Sequence, residues 1–125
     1  MKLILDDSKP IYLQVAQGIE DDILNGFLKE EEQVMSTNQF SEVYGINPAT
    51  SRKGINILAE EDILYKKRGI GMFVKSGAKE YIKEKRRKSF FKEFVLKTIK
   101  EGEKVDITKE EIIDMIKNHR GDGSE

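Results

Sequence analysis

The chain has 125 residues, of which 38% are hydrophobic and 36% are charged, and its formal net charge is −1. This length accommodates one ordinary domain with a small appendage, and the charge-rich composition favours a small core beneath highly charged, helix-rich surfaces. The absence of cysteine excludes a disulfide framework and a thiolate metal site. The first residues lack the pattern of a secretory signal, and no apolar stretch approaches the roughly 20 residues of a membrane span, so a cytoplasmic location is expected.

Charge is distributed unevenly along the chain. Residues 1–35 carry three basic and eight acidic side chains, whereas residues 47–75 carry six basic and three acidic ones. Residues 76–104 carry ten basic and five acidic side chains. Because salt screens charges beyond about 8–10 Å, attraction to phosphate depends on these local excesses more than on the net charge.

The first predicted helix begins at Pro10, which suits the first helical position, and ends at Gly26. Apolar residues recur between them at helical spacing and predict a buried face: Ile11, Tyr12, Val15, Ala16, Ile19 and Ile23. Residues 27–35 are predicted to form a loop, and the acidic run at residues 30–32 is interpreted as solvated.

Local capping signals predict the second helix and the start of the third. Ser36, with Gln39 three residues later, forms a capping box that opens the second helix. Gly45 ends this helix. Asn47 is a good N-cap for the third helix, and Pro48 again suits the first helical position.

The third helix, predicted to reach about residue 61, has two different faces. One arc faces the core and carries Ser51, Gly54, Ile55 and Leu58. The opposite arc carries Pro48, Ala49, Arg52, Lys53 and Asn56. Small residues permit close approach to DNA, and arginine and asparagine reach base edges. Alone, this pattern also fits an ordinary amphipathic helix with a solvated side, but the tight turn before it and the hairpin after it favour a recognition helix.

Residues 63–74 predict a β-hairpin, because apolar and β-branched runs flank a turn that contains Gly69 and Gly71. Three consecutive cations, residues 66–68, would meet phosphates or the minor groove, where Arg68 is best placed to insert. The glycines let the backbone approach DNA closely. A helix-turn-helix followed by such a hairpin, or wing, lays a helix into DNA.

The rest of the chain changes in character. Residues 78–100 predict one long helix, whose middle at residues 83–88 is almost wholly charged, and Gly102 is predicted to end it. Thr108 and Glu111 form a second capping box, which opens a last helix.

These two helices cannot bury their apolar residues by themselves. An apolar surface without an internal partner predicts contact with another chain, most simply a two-fold homodimer. Packing back onto the DNA-binding domain is the alternative. The candidate dimerisation residues are Phe90, Phe91, Phe94, Val95, Ile112, Ile113 and Ile116. Residues 119–125 are predicted to be a disordered tail.

Several of these motifs together resemble the GntR family of bacterial transcription regulators. The stretches PIYLQVAQGIEDDILNG, YGINPAT and KKRGIGMFV, with the helix that opens near Ser36, cover residues 10–74. The tail, with FFKEF and ITKEEIIDMIK, is similar to the short dimerisation module of the YtrA subfamily. The resemblance implies a mostly α fold with a small β-hairpin. In this fold a winged helix-turn-helix domain (residues 1–76) precedes a two-helix antiparallel dimerisation module (residues 77–118).

The resemblance also implies a homodimer on double-stranded DNA, with an inverted repeat as its operator. Each protomer would place its third helix in the major groove and its wing beside or in the minor groove. Proteins like YtrA are usually repressors of nearby transporter operons. The candidate DNA contacts are Ser36, Thr37, Asn38, Asn47, Pro48, Ala49, Thr50, Arg52, Lys53, Asn56, Lys67, Arg68, Gly69 and Gly71.

The sequence departs from the family pattern at several of these positions. Asn38 stands where arginine is usual, and residues 47–50 read Asn-Pro-Ala-Thr where serine-arginine-asparagine-threonine is frequent. Met35 replaces a usual proline. These departures leave more of the recognition to Arg52 and Lys53, and they predict a larger share of backbone and shape readout.

Other functions are weighed against this interpretation. An enzyme is not expected: His119 is the only histidine, no hydroxyl has a plausible neighbouring base, and no metal cluster has ligand spacing. No cofactor or metal is expected, and an effector ligand, if any, would bind between protomers. A winged helix used as a protein adaptor should carry apolar residues on its third helix, and a sequence-independent architectural DNA binder would rely on cationic charge.

Overall fold

The computed structural model describes residues 1–121. Its α-helices are α1 (Ile11–Asn25), α2 (Thr37–Tyr44), α3 (Pro48–Glu60), α4 (Ala78–Phe90), α5 (Leu96–Lys104) and α6 (Lys109–Asn118). A π-helical segment, Phe91–Val95, joins α4 to α5, and β1 (Leu64–Lys67) pairs with β2 (Gly71–Val74) in an antiparallel hairpin. The predicted mostly α fold with a small hairpin is confirmed. The chain folds into two compact units, of which the first covers residues 1–84 and the second begins at residue 85.

The core of the first unit lies between α1, α3 and the elements that flank them. The core-facing arc predicted for α3 is confirmed, since Ser51, Gly54, Ile55 and Leu58 are all buried. In α1 the predicted face is buried from Val15 onward, whereas Ile11 and Tyr12 are half-buried. The buried hydrophobic residues are Val15, Ala16, Ile19, Ile23, Val34, Phe40, Ile46, Ile55, Leu58, Ile63, Leu64, Val74, Ala78 and Ile82.

In the first unit, the end of α1, both ends of α2 and the start of α3 follow the local signals, whereas Pro10, predicted as the first helical residue, is the N-cap that precedes α1. Gly26 and Gly45 adopt left-handed φ values of 81° and 67°, so they end α1 and α2 in a conformation that residues with a Cβ rarely adopt. The Gln39 backbone N–H donates to Ser36 Oγ at 3.1 Å, and the Ser36 N–H donates to Gln39 Oε1 at 2.7 Å. This reciprocal pair confirms the capping box. Asn47 Oδ1 accepts from the Ala49 N–H at 2.8 Å and caps α3.

The segment between α1 and α2 is more ordered than the predicted loop. Gln33 forms an antiparallel bridge with Phe73 of the hairpin. The Val34 N–H donates to the Met72 carbonyl at 2.9 Å, and the Glu31 N–H donates to the Val74 carbonyl at 2.7 Å. The segment therefore lies along β2 and is joined to it by an isolated β-bridge and backbone hydrogen bonds, without forming a strand of its own.

The acidic run at residues 30–32 is exposed, but its carboxylates hold neighbouring segments in place. Glu30 Oε1 accepts from the Gly77 N–H at 2.9 Å, immediately before α4. A carboxylate oxygen of Glu31 accepts from the Tyr65 hydroxyl. Interpreting the run as merely solvated was incomplete, because exposure does not exclude a hydrogen bond to a distant segment.

The boundary between the units differs from the predicted one. Ala78 and Ile82, on the first turns of α4, are buried in the core of the first unit. That unit consequently ends after Glu84, eight residues beyond the boundary predicted at residue 76.

In the second unit, α5 continues past Gly102 and ends at Lys104, so the prediction that Gly102 ends the helix was wrong. Gly102 is buried, and a Cβ there would lie 3.1 Å from the Ile107 carbonyl oxygen and 3.2 Å from Ile112 Cδ1. This glycine lets the returning chain approach α5 closely. Helical geometry is lost beyond it, where Asp106 adopts a φ of 59°.

The last helix begins as predicted. The Glu111 N–H donates to Thr108 Oγ1 at 3.1 Å, and the Thr108 N–H donates to Glu111 Oε1 at 3.1 Å, which confirms the second capping box. Residues 122–125 of the tail that was predicted to be disordered lie outside the described residues. None of the described helices is long and apolar enough to cross a membrane.

Candidate nucleic-acid interface

The solvent face of α3 carries the polar arc predicted from the sequence. Pro48, Ala49, Arg52, Lys53 and Asn56 are exposed. They lie opposite the buried arc of the same helix, so a duplex could approach them without disturbing the core.

The two cations on this face are held differently. Lys53 Nζ lies 4.0 Å from the centroid of the Tyr12 ring of α1, at the distance of a cation–π contact. This contact fixes the Lys53 ammonium beside α1. Arg52 is exposed on the preceding position, and its guanidinium can present a planar set of donors to a base edge.

The helix caps place polar side chains at the two helix N-termini. The Asn47 side-chain oxygen is used in capping α3, and its two amide N–H groups remain able to donate to a phosphate. The Ser36 hydroxyl oxygen likewise caps α2, while its proton can turn toward an acceptor. Thr37 and Thr50 are half-buried, whereas Asn38 is exposed.

The wing presents exposed cations over an aromatic surface. Lys66, Lys67, Arg68 and Gly69 are all exposed. Lys67 Nζ lies 4.1 Å from the Phe73 ring centroid and 5.9 Å from the Tyr65 ring centroid, and these two rings face each other across the strand pair. The Lys67 ammonium is therefore held over the aromatic face of the hairpin by cation–π contacts.

Gln33 is a residue of this region that the sequence interpretation missed. Its Nε2 donates to the Ile70 carbonyl at 3.1 Å, which ties the wing turn to the segment before α2. Gly71 has a φ of 149°, which residues with a Cβ rarely adopt, and a Cβ there would lie 2.6 Å from Gln33 Nε2, so the end of the Gln33 side chain would have to shift. Glutamine before a capping box carries no signal that would have revealed the contact.

A second tie joins the same two segments. The Tyr65 hydroxyl of β1 donates to the Glu31 carboxylate. This hydrogen bond stabilises the protonated phenol beside a negative charge and raises the pKa of Tyr65 above its ordinary value.

Six of the candidate dimerisation residues line one apolar groove of about 400 Å³ in the second unit. Its lining consists of Phe90, Phe94, Val95, Thr98, Ile99, Lys109, Ile112, Ile113 and Ile116. The Phe90 and Phe94 rings are 5.3 Å apart between centroids. Phe91, the seventh candidate, is exposed but does not line the groove. Within residues 1–121, no group of His, Asp or Glu side chains could hold a metal ion.

Comparison with known proteins identifies the family. No protein-family model matches the chain. A solved structure from Bacteroides thetaiotaomicron, described as a GntR-family transcriptional regulator, is 37% identical with a TM-score of 0.63. It covers 85% of this chain and 92% of its own. The chain belongs to the GntR family. A GntR-family regulator from Listeria monocytogenes superposes with a TM-score of 0.72 at 28% identity, covering 93% of this chain and 100% of its own.

Curated relatives in the GntR family are similar to part of this sequence. YurK of Bacillus subtilis, an HTH-type transcriptional regulator, is 38% identical over 69 residues, which are 55% of this chain and 28% of YurK. YtrA of the same organism, an HTH-type transcriptional repressor, is 30% identical over 77 residues, or 62% of this chain and 59% of YtrA. The chain thus spans about a quarter of the length of YurK and somewhat over half that of YtrA.

Part of this chain is also similar to a domain solved on DNA. The DNA-binding domain of AraR, in complex with operator ORR3, matches with a TM-score of 0.52 at 28% identity and covers 59% of this chain and 89% of its own.

Proposed function

We propose that this protein is a sequence-specific DNA-binding transcriptional regulator. The observation that carries the proposal is the exposed polar arc of α3, which lies between a capped turn and a cationic wing. The likeness to the AraR domain on its operator supports this use of the fold.

In the proposed complex α3 lies in the major groove. Arg52 and Asn56 contact base edges, while Pro48 and Ala49 permit close approach. The exposed positions of these residues support this assignment. Phosphates are contacted by the remaining polar candidates and the wing, namely Ser36, Thr37, Asn38, Asn47, Thr50, Lys53, Lys67, Arg68, Gly69 and Gly71.

The protein acts as a homodimer in this proposal. The apolar groove of the second unit forms the interface, since an exposed apolar surface of this kind is costly in water. A two-fold dimer would bind an inverted-repeat operator. Repression of a nearby transporter operon is proposed by analogy with repressors of the YtrA type.

Fluorescence anisotropy against DNA from upstream of its own gene tests the DNA-binding proposal. We expect tight binding that unrelated DNA does not displace, and Arg52→Ala should weaken it by about 1–3 kcal/mol. Arg87→Ala removes the same charge from an exposed position on α4 and is the matched control.

Other outcomes separate the alternatives. Equal displacement by unrelated DNA would favour an architectural binder, and an absence of binding to any duplex would favour a protein adaptor.

Sedimentation of paired variants tests the dimer. Phe94, which lines the groove, is 61% exposed, and Phe91, which does not, is 58% exposed. Phe94→Asp should therefore produce monomers at concentrations where Phe91→Asp remains dimeric. Equal dissociation by both variants would place the interface elsewhere on the second unit.

A further inference from the structure

Ile70 occupies the tip of the wing and is 63% exposed. A single exposed isoleucine is common on protein surfaces. Ile70 differs from such residues because two hydrogen bonds hold its backbone and three exposed cations precede it in the wing.

The backbone of Ile70 is fully used inside the wing. Its N–H donates to the Lys67 carbonyl at 2.9 Å, and its carbonyl accepts from Gln33 Nε2 at 3.1 Å. The flanking Gly69 and Gly71 adopt φ values of 78° and 149°, which complete the tight turn. Because the N–H and C=O of Ile70 are already hydrogen-bonded within the chain, Ile70 can contact a binding partner only through its aliphatic side chain.

The partner that fits this tip is the minor groove of DNA. Lys66, Lys67 and Arg68 lie two to four residues before Ile70 and are exposed, so they can meet the phosphates that line the groove. Aliphatic side chains recur among residues that proteins place in minor grooves. Guanine carries an amino group on the minor-groove floor that adenine lacks, and an aliphatic side chain cannot accept a hydrogen bond from it.

We infer that Ile70 selects A·T base pairs in the minor groove beside each half-site by rejecting the guanine amino group. This inference rests on the proposed DNA-binding function. Gln33 is a positioning residue in this arrangement, because it holds the carbonyl of Ile70 and does not itself lie at the tip.

Selection from a randomised duplex library tests the inference with the full-length chain. Ile70→Ala is compared with Ile4→Ala, which removes the same side chain from a position that is 77% exposed outside the wing. The wild-type protein and Ile4→Ala should enrich A·T pairs beside the half-sites. Ile70→Ala should enrich the same half-sites but show no preference for A·T pairs beside them.

Modified bases then isolate the amino group. Replacing the flanking adenines by 2,6-diaminopurine adds the missing amino group to A·T pairs. The substitution should weaken wild-type binding about tenfold, the size of one mismatched base pair. The same base replacement should weaken binding of Ile70→Ala about twofold or less, because the side chain that meets the amino group is gone.

Two further variants distinguish other sources of an A·T preference. Arg68→Lys retains the positive charge that a narrow A·T groove attracts, and it should keep the diaminopurine penalty. Gln33→Met retains an unbranched side chain of the same length without the amide donor, and it should reduce the penalty while the half-site preference persists.

A diaminopurine penalty as large in Ile70→Ala as in the wild type would overturn the inference, as would a wild-type selection with no A·T flank. Both of these results would leave the proposed regulator intact. Failure of the wild-type protein to enrich any sequence would contradict both the proposed function and this inference.

Discussion

The ammonium of Lys53 on α3 lies 4.0 Å from the centroid of the Tyr12 ring on α1. The backbone carbonyl oxygen of the same residue, Tyr12, lies against Gly54 of α3. The crossing of the two helices is therefore tied on its solvent side by a cation and a ring, and on its inner side by direct backbone contact.

The cation–π contact predicts an energetic coupling between Tyr12 and Lys53. Tyr12→Leu and Lys53→Met should each destabilise the first unit, and the double variant should show a coupling of about 0.5–1 kcal/mol. Urea unfolding of the four proteins of the cycle measures it. Strictly additive effects would mean that the contact contributes nothing in solution.

The close helix crossing predicts that Gly54→Ala destabilises the protein despite the higher helix propensity of alanine. A Cβ at Gly54 would lie 2.5 Å from the Tyr12 carbonyl oxygen, and neither backbone can move away cheaply. We expect a loss of about 1–3 kcal/mol in the free energy of unfolding.

Gly18→Ala is the matched control for the Gly54 prediction. A Cβ there meets chiefly the end of the Leu3 side chain, at 3.0 Å, which can rotate. Thermal unfolding should show Gly18→Ala unchanged or more stable, by up to about 1 kcal/mol. A stable Gly54→Ala protein would contradict the tight crossing.

Ser51 predicts a stabilising substitution. Its hydroxyl is fully buried and has no hydrogen-bond partner among the described residues. Ser51→Ala removes the desolvated hydroxyl and should raise the free energy of unfolding by about 1 kcal/mol. The exposed Ser89→Ala should gain only the few tenths of a kcal/mol that helix propensity supplies. Destabilisation by Ser51→Ala, measured by the midpoint of urea unfolding, would mean that the hydroxyl finds a partner in solution.

The extent of the first unit predicts opposite behaviour for two neighbours on α4. Ile82 is buried in the core of the first unit, and the adjacent Tyr81 is exposed. Ile82→Ala should cost about 2–5 kcal/mol in that unit, and Tyr81→Ala should have little effect. Hydrogen exchange of the α1 and α3 amides reports on the first unit alone.

A truncated domain should accordingly retain residues 1–84, because a cut at residue 77 removes Ala78 and Ile82.

The hydrogen bond between Tyr65 and Glu31 predicts a pH effect. The bond raises the pKa of the Tyr65 phenol above 10.0, so its stabilisation is present below that pH and is lost as pH rises through the elevated pKa. Glu31→Gln should lower the pKa of Tyr65 toward its ordinary value, because the carboxylate charge is removed. Phenolate absorbance during alkaline titration measures the change, with Tyr65→Phe to identify the signal. An unchanged titration in Glu31→Gln would rule out the bond in solution.

Most helix boundaries could be predicted because their signals are local. Ser36 and Gln39 of the capping box lie only three positions apart, and the glycine that ends α2 is a local signal as well. The polar arc of α3 was predictable for the same reason, since helical periodicity alone assigns each residue to a face.

What the sequence could not supply depends on partners distant in the chain. A glycine inside a helical pattern can either end the helix or allow another segment to pack closely against it. For Gly102, only the positions of Ile107 and Ile112 in the folded chain show that the second role applies. Gln33 was missed because its partner, Ile70, lies 37 residues away. Phe91 shares the apolar character of Phe90 and Phe94, and it is left out of the groove at the start of the π-helical segment.

The tie between Gln33 and Ile70 has a consequence for how the first unit folds. Its partners are 37 residues apart, and α2 and α3 lie entirely within the loop that they close. Closing such a loop from an extended chain is entropically unfavourable, and compact helices within it bring its ends together. We therefore expect the wing to dock only as the two helices form. Under the proposed DNA-binding function, the helix surface for the major groove and the wing surface for the minor groove then form together.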